Sequence, residues 1–268
     1  MPDAISVSIL ADFAAAKLRR EFKIMTGEER HRHRIINVEQ EGWPIDPKTI
    51  PLLKGLPSDQ QQALLAGINF FRLERGEFAF QTGDAADQLY ILLEGRMKIY
   101  ENTPEGREQI LYIYNPGDFV GGLNVLKDHS YLYMGQMLED SLLATMNKEV
   151  FDCYALNNPL ILKRILEKSY DRIRWAEDLI SRMGSSNAEM KVAALLSRLV
   201  TDFGVEKEDG IHLELSINRE EMGSYAGVAR ETMIRKLVEF KDKGLIELPD
   251  HKSIIIKDLK GLRDLLFG

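Results

Sequence analysis

The stretch 218-NREEMGSYAGVARETMIRKLVEFKDKGLIEL-248 holds two helical periods separated by a glycine. In the first, Met222, Tyr225 and Ala226 share one face of a two-turn helix. Gly227 permits a left-handed turn, and Val228 is placed to plug the angle between the helices. The second period, about Ala229 to Lys241, turns Met233, Leu237 and Phe240 inward, so its opposite face presents Arg230, Glu231, Ile234 and Arg235. This spacing predicts a helix-turn-helix. The tail GLIELPDHKSIIIKD predicts two short strands around a PDHK turn, the wing of a winged helix.

The residue types on that face suit DNA. A guanidinium donates two hydrogen bonds to guanine O6 and N7, and a carboxylate accepts one from cytosine N4, each contact discriminating by ~1–3 kcal/mol. Arg230 and Glu231 in the first turn, with Arg235 about one turn on, are the candidate base contacts. Ser216, Asn218, Thr232 and Lys236 are the candidate phosphate contacts, which position without specifying. The bland alternative is a solvated face whose arginines and glutamate pair with one another.

Working outward, 268 residues, 44% of them apolar and 29% charged, suit a globular chain of about two domains. The net charge of −7 means that any nucleic-acid contact comes from a local basic patch. Cys153 stands alone, which excludes an intramolecular disulfide and any cluster held by several cysteines. FDCYAL gives it no basic neighbour, so a buried structural thiol is expected. A reducing, cytoplasmic location fits, and the order of charges at the N-terminus is the reverse of a secretory signal.

Four segments emerge. Residues 1–48 read as a helical extension, with Leu10, Phe13, Ala14 and Leu18 at helical spacing and HRHR at 31–34 as a solvated linker. Residues 49–156 show short apolar or alternating runs punctuated by Gly76, Gly83, Gly95, Gly106 and Gly117, the rhythm of an antiparallel jelly roll or β-roll. Residues 157–185 form one long helix, in which Leu162, Leu166, Ser169, Ile173, Ala176, Ile180 and Met183 alternate steps of four and three. That stripe serves either a two-fold dimer seam or packing on the chain's own roll. Residues 186–268 make the winged module, opened by a helix over about 187–203 with Asn187 as N-cap and followed by a polar loop, GVEKEDG. The fold class is therefore α+β: a β-roll, a long helix and a winged helix-turn-helix.

Over about residues 50–265 the chain resembles the cyclic-AMP receptor protein and fumarate-nitrate reduction regulator (CRP/FNR) family of bacterial transcription factors. The likeness rests on GDAADQLYILLEGRMKIY, PGDFVGG, the long helix, NAEMKVAALLSRL and the 217–248 motif, in the family's order. It implies a homodimer joined by the long helix, a palindromic site with TGTGA-like half-sites, RNA polymerase as partner and an effector bound to the roll. The family's base-reading arginine, glutamate and second arginine fall on Arg230, Glu231 and Arg235.

The departures concern the effector. The glutamate that holds a cyclic nucleotide's ribose falls on Gly122, and the arginine for its phosphate falls near Leu132 with Tyr133 beside it. An unpaired buried phosphate costs several kcal/mol, so cyclic AMP is not the expected effector. One cysteine cannot supply the oxygen sensors' iron-sulfur cluster, and the haem sensors' histidine position is Leu123, although His129 is close by, so neither cofactor is expected. GGLNVLKDHSYLYMGQ offers Gly121, Gly122, Leu123, Tyr131, Leu132 and Tyr133 either as a pocket for a small, largely apolar effector or as plain barrel core. A cupin-like enzyme needs clustered metal ligands, and the roll has one histidine, so an enzyme is not expected. A regulatory module acting through protein contacts is the remaining alternative.

Overall fold

The structure, a computed structural model, describes residues 34–38, 42, 44–46, 49–104, 106–127, 130–183 and 187–266. They fall into two compact units. One holds the chain up to Met97 together with Tyr114–Ser169; the other holds Lys98–Ile113 with the chain from Tyr170 onward.

In the first unit, an antiparallel sheet runs in the order β1 (Arg34–Ile36), β2 (Ile68–Leu73), β9 (Ser141–Asn147), β4 (Gln88–Glu94) and β7 (Phe119–Val120). β9 is central in the sheet and buried on both faces, so SLLATM reads as a continuous buried run. Leu142, Ala144 and Met146 join Phe70, Leu89 and Ile91 in one core. Helix α1 (Ser58–Leu65) adds Leu64 to it, α2 (Gly122–Lys127) adds Val125, and α3 (Lys148–Val150), which continues as a π-helical turn through Ala155, adds Val150 and Phe151. The first turns of the long helix α4 (Pro159–Met183) add Ile161 and Ile165. Pro159 opens that helix where its missing N–H costs nothing, and Asn158 Oδ1 accepts from the backbone N–H groups of Leu160 and Ile161. Arg164 then donates to the carbonyls of Leu52 and Lys54, which ties the helix to the 50–55 turn.

A second strand pair, β3 (Phe78–Phe80) with β8 (Met134–Met137), carries Phe80, whose ring stacks on Tyr131 at 4.1 Å and approaches Tyr90 at 5.4 Å. The Tyr131 hydroxyl donates to the Gln88 carbonyl. Burial pushes the phenols of Tyr90 and Tyr131 well above their usual range.

The second unit gathers the strands β5 (Met97–Asn102) and β6 (Glu108–Tyr114), the later turns of α4, and the C-terminal module. Trp175 of α4 donates from Nε1 to the Leu111 carbonyl at 2.9 Å, and the Tyr112 hydroxyl donates to the Arg172 carbonyl at 3.3 Å. On Trp175 lie the ring of Tyr225 and the guanidinium of Arg198. The module has α5 (Ala188–Phe203), α6 (Arg219–Ala226), α7 (Arg230–Asp242) and α8 (Leu259–Asp264). Its antiparallel sheet has the order β10 (Gly204–Lys207), β11 (Gly210–Glu214), β13 (Ser253–Ile256), β12 (Ile246–Glu247). Asn187 caps α5 through Oδ1, as its sequence predicts. The wing turn is held by Asp250, whose carboxylate accepts from the Lys252 and Ser253 N–H groups.

Three expectations change. The segment 1–48 is not wholly helical: Arg34–Ile36 is a strand paired with β2, and three residues are too few to display a period, while Leu10, Phe13, Ala14, Leu18 and residues 31–33 of HRHR lie outside the described residues. GVEKEDG is not a loop but most of the β10–β11 hairpin; β10 is exposed throughout, so burial imprints no alternation on it. Cys153 is exposed, because the π-helical turn points it away from Phe151 and Ala155.

Candidate nucleic-acid interface

The interface is built on two capped helices. Asn218 Oδ1 accepts from the N–H groups of Glu220 and Glu221, and a Glu221 carboxylate oxygen accepts from the Asn218 N–H at 2.9 Å, which closes a capping box. Asn-x-x-Glu was legible in the sequence as this signal, but Asn218 was read for phosphate contact alone. At the other end Gly227 has φ 69° and ψ 41°, and the Val228 N–H donates to the Gly223 carbonyl at 2.9 Å. Gly223 matters equally and carries no pattern of its own: a Cβ there would lie 2.8 Å from the Val228 carbonyl oxygen. The two glycines together let α7 begin within three residues of the end of α6.

Met233, Leu237 and Phe240 bury one face of α7, and Arg230, Glu231 and Arg235 are exposed on the rest of it. Among the described residues no hydrogen bond or ion pair engages Arg230 or Glu231, so the two do not satisfy each other. Arg235 approaches Glu239 at 3.9 Å with most of its side chain in solvent. The expected phosphate-contact residues are less uniform. Thr232 and Ser216 are half-buried, Asn218 has its oxygen committed to the cap, and the Lys236 ammonium pairs with Glu239. Lys243 pairs with Glu189, whose carboxyl it holds below the usual range by hydrogen bonding.

The β5–β6 hairpin lies against this site. Lys98, only 5% exposed, sits 2.6 Å from Glu108 and 3.2 Å from Glu221, so one glutamate both caps α6 and pairs with the hairpin. Ser224 Oγ donates to the Glu108 carbonyl at 2.7 Å and accepts from the Ile110 N–H at 2.9 Å, and Gln109 donates to the Ser224 carbonyl at 2.6 Å. Between hairpin and helices runs an open cleft of about 1070 Å³, with Gly106 and Arg107 on one wall and Asn218, Arg230 and Glu231 on the other.

The expected dimer seam divides. Leu166, Ile173 and Ile180 are exposed at seven-residue spacing, with Tyr170 exposed beside them. Leu162 and Ala176 are half-buried, and the Met183 side chain lies outside the described residues. Ser169 is buried, its hydroxyl bonded to the Ile165 carbonyl, so this helix face is turned into the chain itself.

The six expected effector residues do not converge on one lining. Gly121, Gly122 and Tyr131 are buried, whereas Leu123, Leu132 and Tyr133 are exposed; His129 lies outside the described residues. Tyr131 turns inward because its ring finds Phe80 and its hydroxyl the Gln88 carbonyl. Sequence reading missed Gln88 and Thr145, whose Oε1 and Oγ1 are buried with no partner among the described residues. Thr145 is paired with Tyr90 in the sheet register, and Gln88 lies two residues before Tyr90, so all three share the face that carries the aromatic cluster.

A winged helix-turn-helix with exposed arginines on its second helix, joined to a β-roll, defines a DNA-binding transcriptional regulator. Known proteins agree. Residues 70–157 match the cyclic nucleotide-binding domain, and residues 190–265 match the Crp-like helix-turn-helix domain. The chain is 30% identical to Electron transport regulator A of Shewanella oneidensis over 186 residues, 69% of this chain and 74% of that one. It is 25% identical to the CRP-like cAMP-activated global transcriptional regulator of Mycobacterium tuberculosis over 211 residues, 79% of this chain and 94% of that one. The fold is also that of FixK2 from Bradyrhizobium japonicum, with a TM-score of 0.66 at 20% identity over 74% of this chain and 96% of that one. The chain belongs to the CRP/FNR family of transcriptional regulators; its relatives are regulators, not enzymes.

The two glycines of the turn separate by experiment. Gly227→Ala meets open space and carries only the left-handed backbone cost, about 1–2 kcal/mol. Gly223→Ala drives a methyl against backbone and costs about 1–3 kcal/mol by overpacking. Urea unfolding measures both, and Gly223→Ala, which displaces the start of α7, is expected to lose more DNA affinity than Gly227→Ala.

Proposed function

We propose that two copies of this chain pair through the exposed stripe of α4 and lay their α7 helices in successive major grooves of a palindromic DNA site, under control of a small effector other than cyclic AMP. The observation that carries this is the pair Arg230 and Glu231, exposed and unengaged in the first turn of a helix projected by the Gly227 turn. Arg230, Glu231 and Arg235 read base edges. Ser216, Asn218, Thr232 and Lys236 face phosphates, Lys236 by leaving Glu239 and Asn218 through its amide nitrogen. RNA polymerase, in the cytoplasm, is the partner that the family membership supports.

Gly122 and Leu132 support the exclusion of cyclic AMP. A Cβ at Gly122 would stand 3.0 Å from Leu89, and the exposed Leu132 and Tyr133 offer a phosphate no cation. Neither a cysteine-ligated cluster nor haem belongs to this proposal. The effector's place is the roll interior at Tyr90 and Tyr131, where the unpartnered Gln88 and Thr145 atoms supply one acceptor and one hydroxyl.

The docked hairpin supports a gated protein. A recognition helix in a major groove about 12 Å wide is flanked by both phosphate walls, and the turn carrying Gly106 and Arg107 occupies one flank. DNA then selects molecules whose hairpin has withdrawn.

Selection of bound duplexes from a random pool, with and without cell extract, tests the reading; an enriched palindrome is expected, and none under either condition would overturn it. On the enriched site Arg230→Ala is expected to relax preference at one position of each half-site. Lys236→Ala should weaken all sequences alike and lower the salt slope by about one. A module acting through protein contacts would show no such salt dependence. Ile173→Glu, which puts a charge into the α4 stripe, should leave the chain folded but monomeric by analytical ultracentrifugation. Ser224→Ala removes the two hairpin bonds its hydroxyl makes, so effector-free DNA affinity should rise, by about fivefold to 150-fold at 0.5–1.5 kcal/mol for each bond; an unchanged affinity in binding titrations would remove the gate.

A further inference from the structure

Two large apolar side chains stand exposed on the second helix of the helix-turn-helix. Ile234 is 39% and Val238 46% exposed, one turn apart, while the hydrophobic face of α7 is already complete in Met233, Leu237 and Phe240. Ile234 lies one turn beyond Arg230 and next to Arg235, among the side chains that protrude. A single exposed aliphatic is ordinary on a protein surface. One set between the arginines of a recognition helix has a different setting, because the surface that covers it there is a row of base edges.

We propose that Ile234 is a specificity-determining residue that reads a thymine through its C5-methyl group. Resting on α7 being the recognition helix, this adds an apolar element to a set of base contacts that is otherwise charged. With a rise of 1.5 Å per residue, Ile234 stands about 6 Å along the axis from Arg230, or roughly two base steps at 3.4 Å each. In the major groove thymine alone of the four bases presents a methyl group. Thymine also carries the O4 acceptor, but its methyl covers part of the edge, whereas guanine, adenine and cytosine present only donors or acceptors, which an isoleucine would strip of water without replacing the lost hydrogen bonds. The side chain therefore discriminates twice, by favouring a methyl and by penalising a polar edge. As a β-branched residue in a helix, Ile234 is confined largely to one χ1 rotamer, so little freedom is lost on contact.

Deoxyuridine isolates the methyl, since it differs from thymidine in nothing else. In the duplex enriched by the full-length protein, thymines are replaced one at a time and affinity is measured by fluorescence anisotropy at fixed salt. One thymine in each half-site is expected to matter, its replacement costing the unmodified protein about fourfold, the worth of one buried methyl. Ile234→Ala should bring that thymine-to-uracil ratio close to one, while Val238→Ala leaves it intact. Neither substitution touches the buried face, so both variants keep their fold. If no thymine shows the effect, or Ile234→Ala retains the full ratio, or only Val238→Ala abolishes it, the assignment to Ile234 falls while DNA recognition by α7 stands. A protein that enriches no sequence at all would instead overturn α7 as the recognition helix.

Discussion

Everything the C-terminal module presents to solvent depends on a constraint of backbone geometry. Gly227 turns left-handed, and Gly223, one turn earlier, lets the Val228 carbonyl come closer than any side chain would allow. With those two positions fixed, Met222 and Tyr225 of α6 and Met233 and Leu237 of α7 are all buried, and Arg230 and Glu231 in the first turn of α7 are left in solvent. The chemistry of Arg230 and Glu231 is thus a product of packing behind them. An acidic chain of net charge −7 can address a polyanion in this way, because the interaction is local and the field near the exposed guanidinium groups of Arg230 and Arg235 outweighs a diffuse excess of carboxylates at a Debye length of about 10 Å.

Tight coupling surrounds that turn. Glu221 serves the α6 cap with one oxygen and Lys98 with the other, so docking the hairpin and capping the helix draw on the same carboxylate. A buried lysine shared between two glutamates is costly to separate unless water or a new partner replaces them. Withdrawal of the hairpin exposes Lys98 and Glu221 together, which favours an all-or-none step over a graded one.

The features most legible in sequence are those whose residues are demanded by backbone or by periodic burial. Asn187, Gly227 and the inward face of α7 belong to this group, as does the long helix that begins at Pro159. The β-roll was legible through its glycine punctuation and alternating runs. What escaped has no such imprint. β1 is three residues long and β10 is exposed on every residue, so neither carries a period. The burial of Ser169 within the α4 seam depends on which side of the helix its own chain covers, and heptad spacing is blind to that. The expected effector residues part company for a related reason: proximity along 121–133 says nothing of side-chain direction, and Tyr131 folds inward while its neighbours Leu132 and Tyr133 face out. Cys153 was misjudged because a hydrophobic sequence context was taken for a hydrophobic environment.

The short strand β1 has one more consequence. It lies beyond β2 and hydrogen-bonds along Phe70–Arg72. Take it away and β2, with its run Ile-Asn-Phe-Phe-Arg-Leu, becomes the border of the five-stranded sheet, an unpaired ribbon of N–H and carbonyl groups flanked by aromatic rings. Such borders invite self-association between molecules. Residues 34–36, which precede the cyclic nucleotide-binding match that begins at residue 70, therefore act as a selvedge that keeps the sheet from fraying into aggregates.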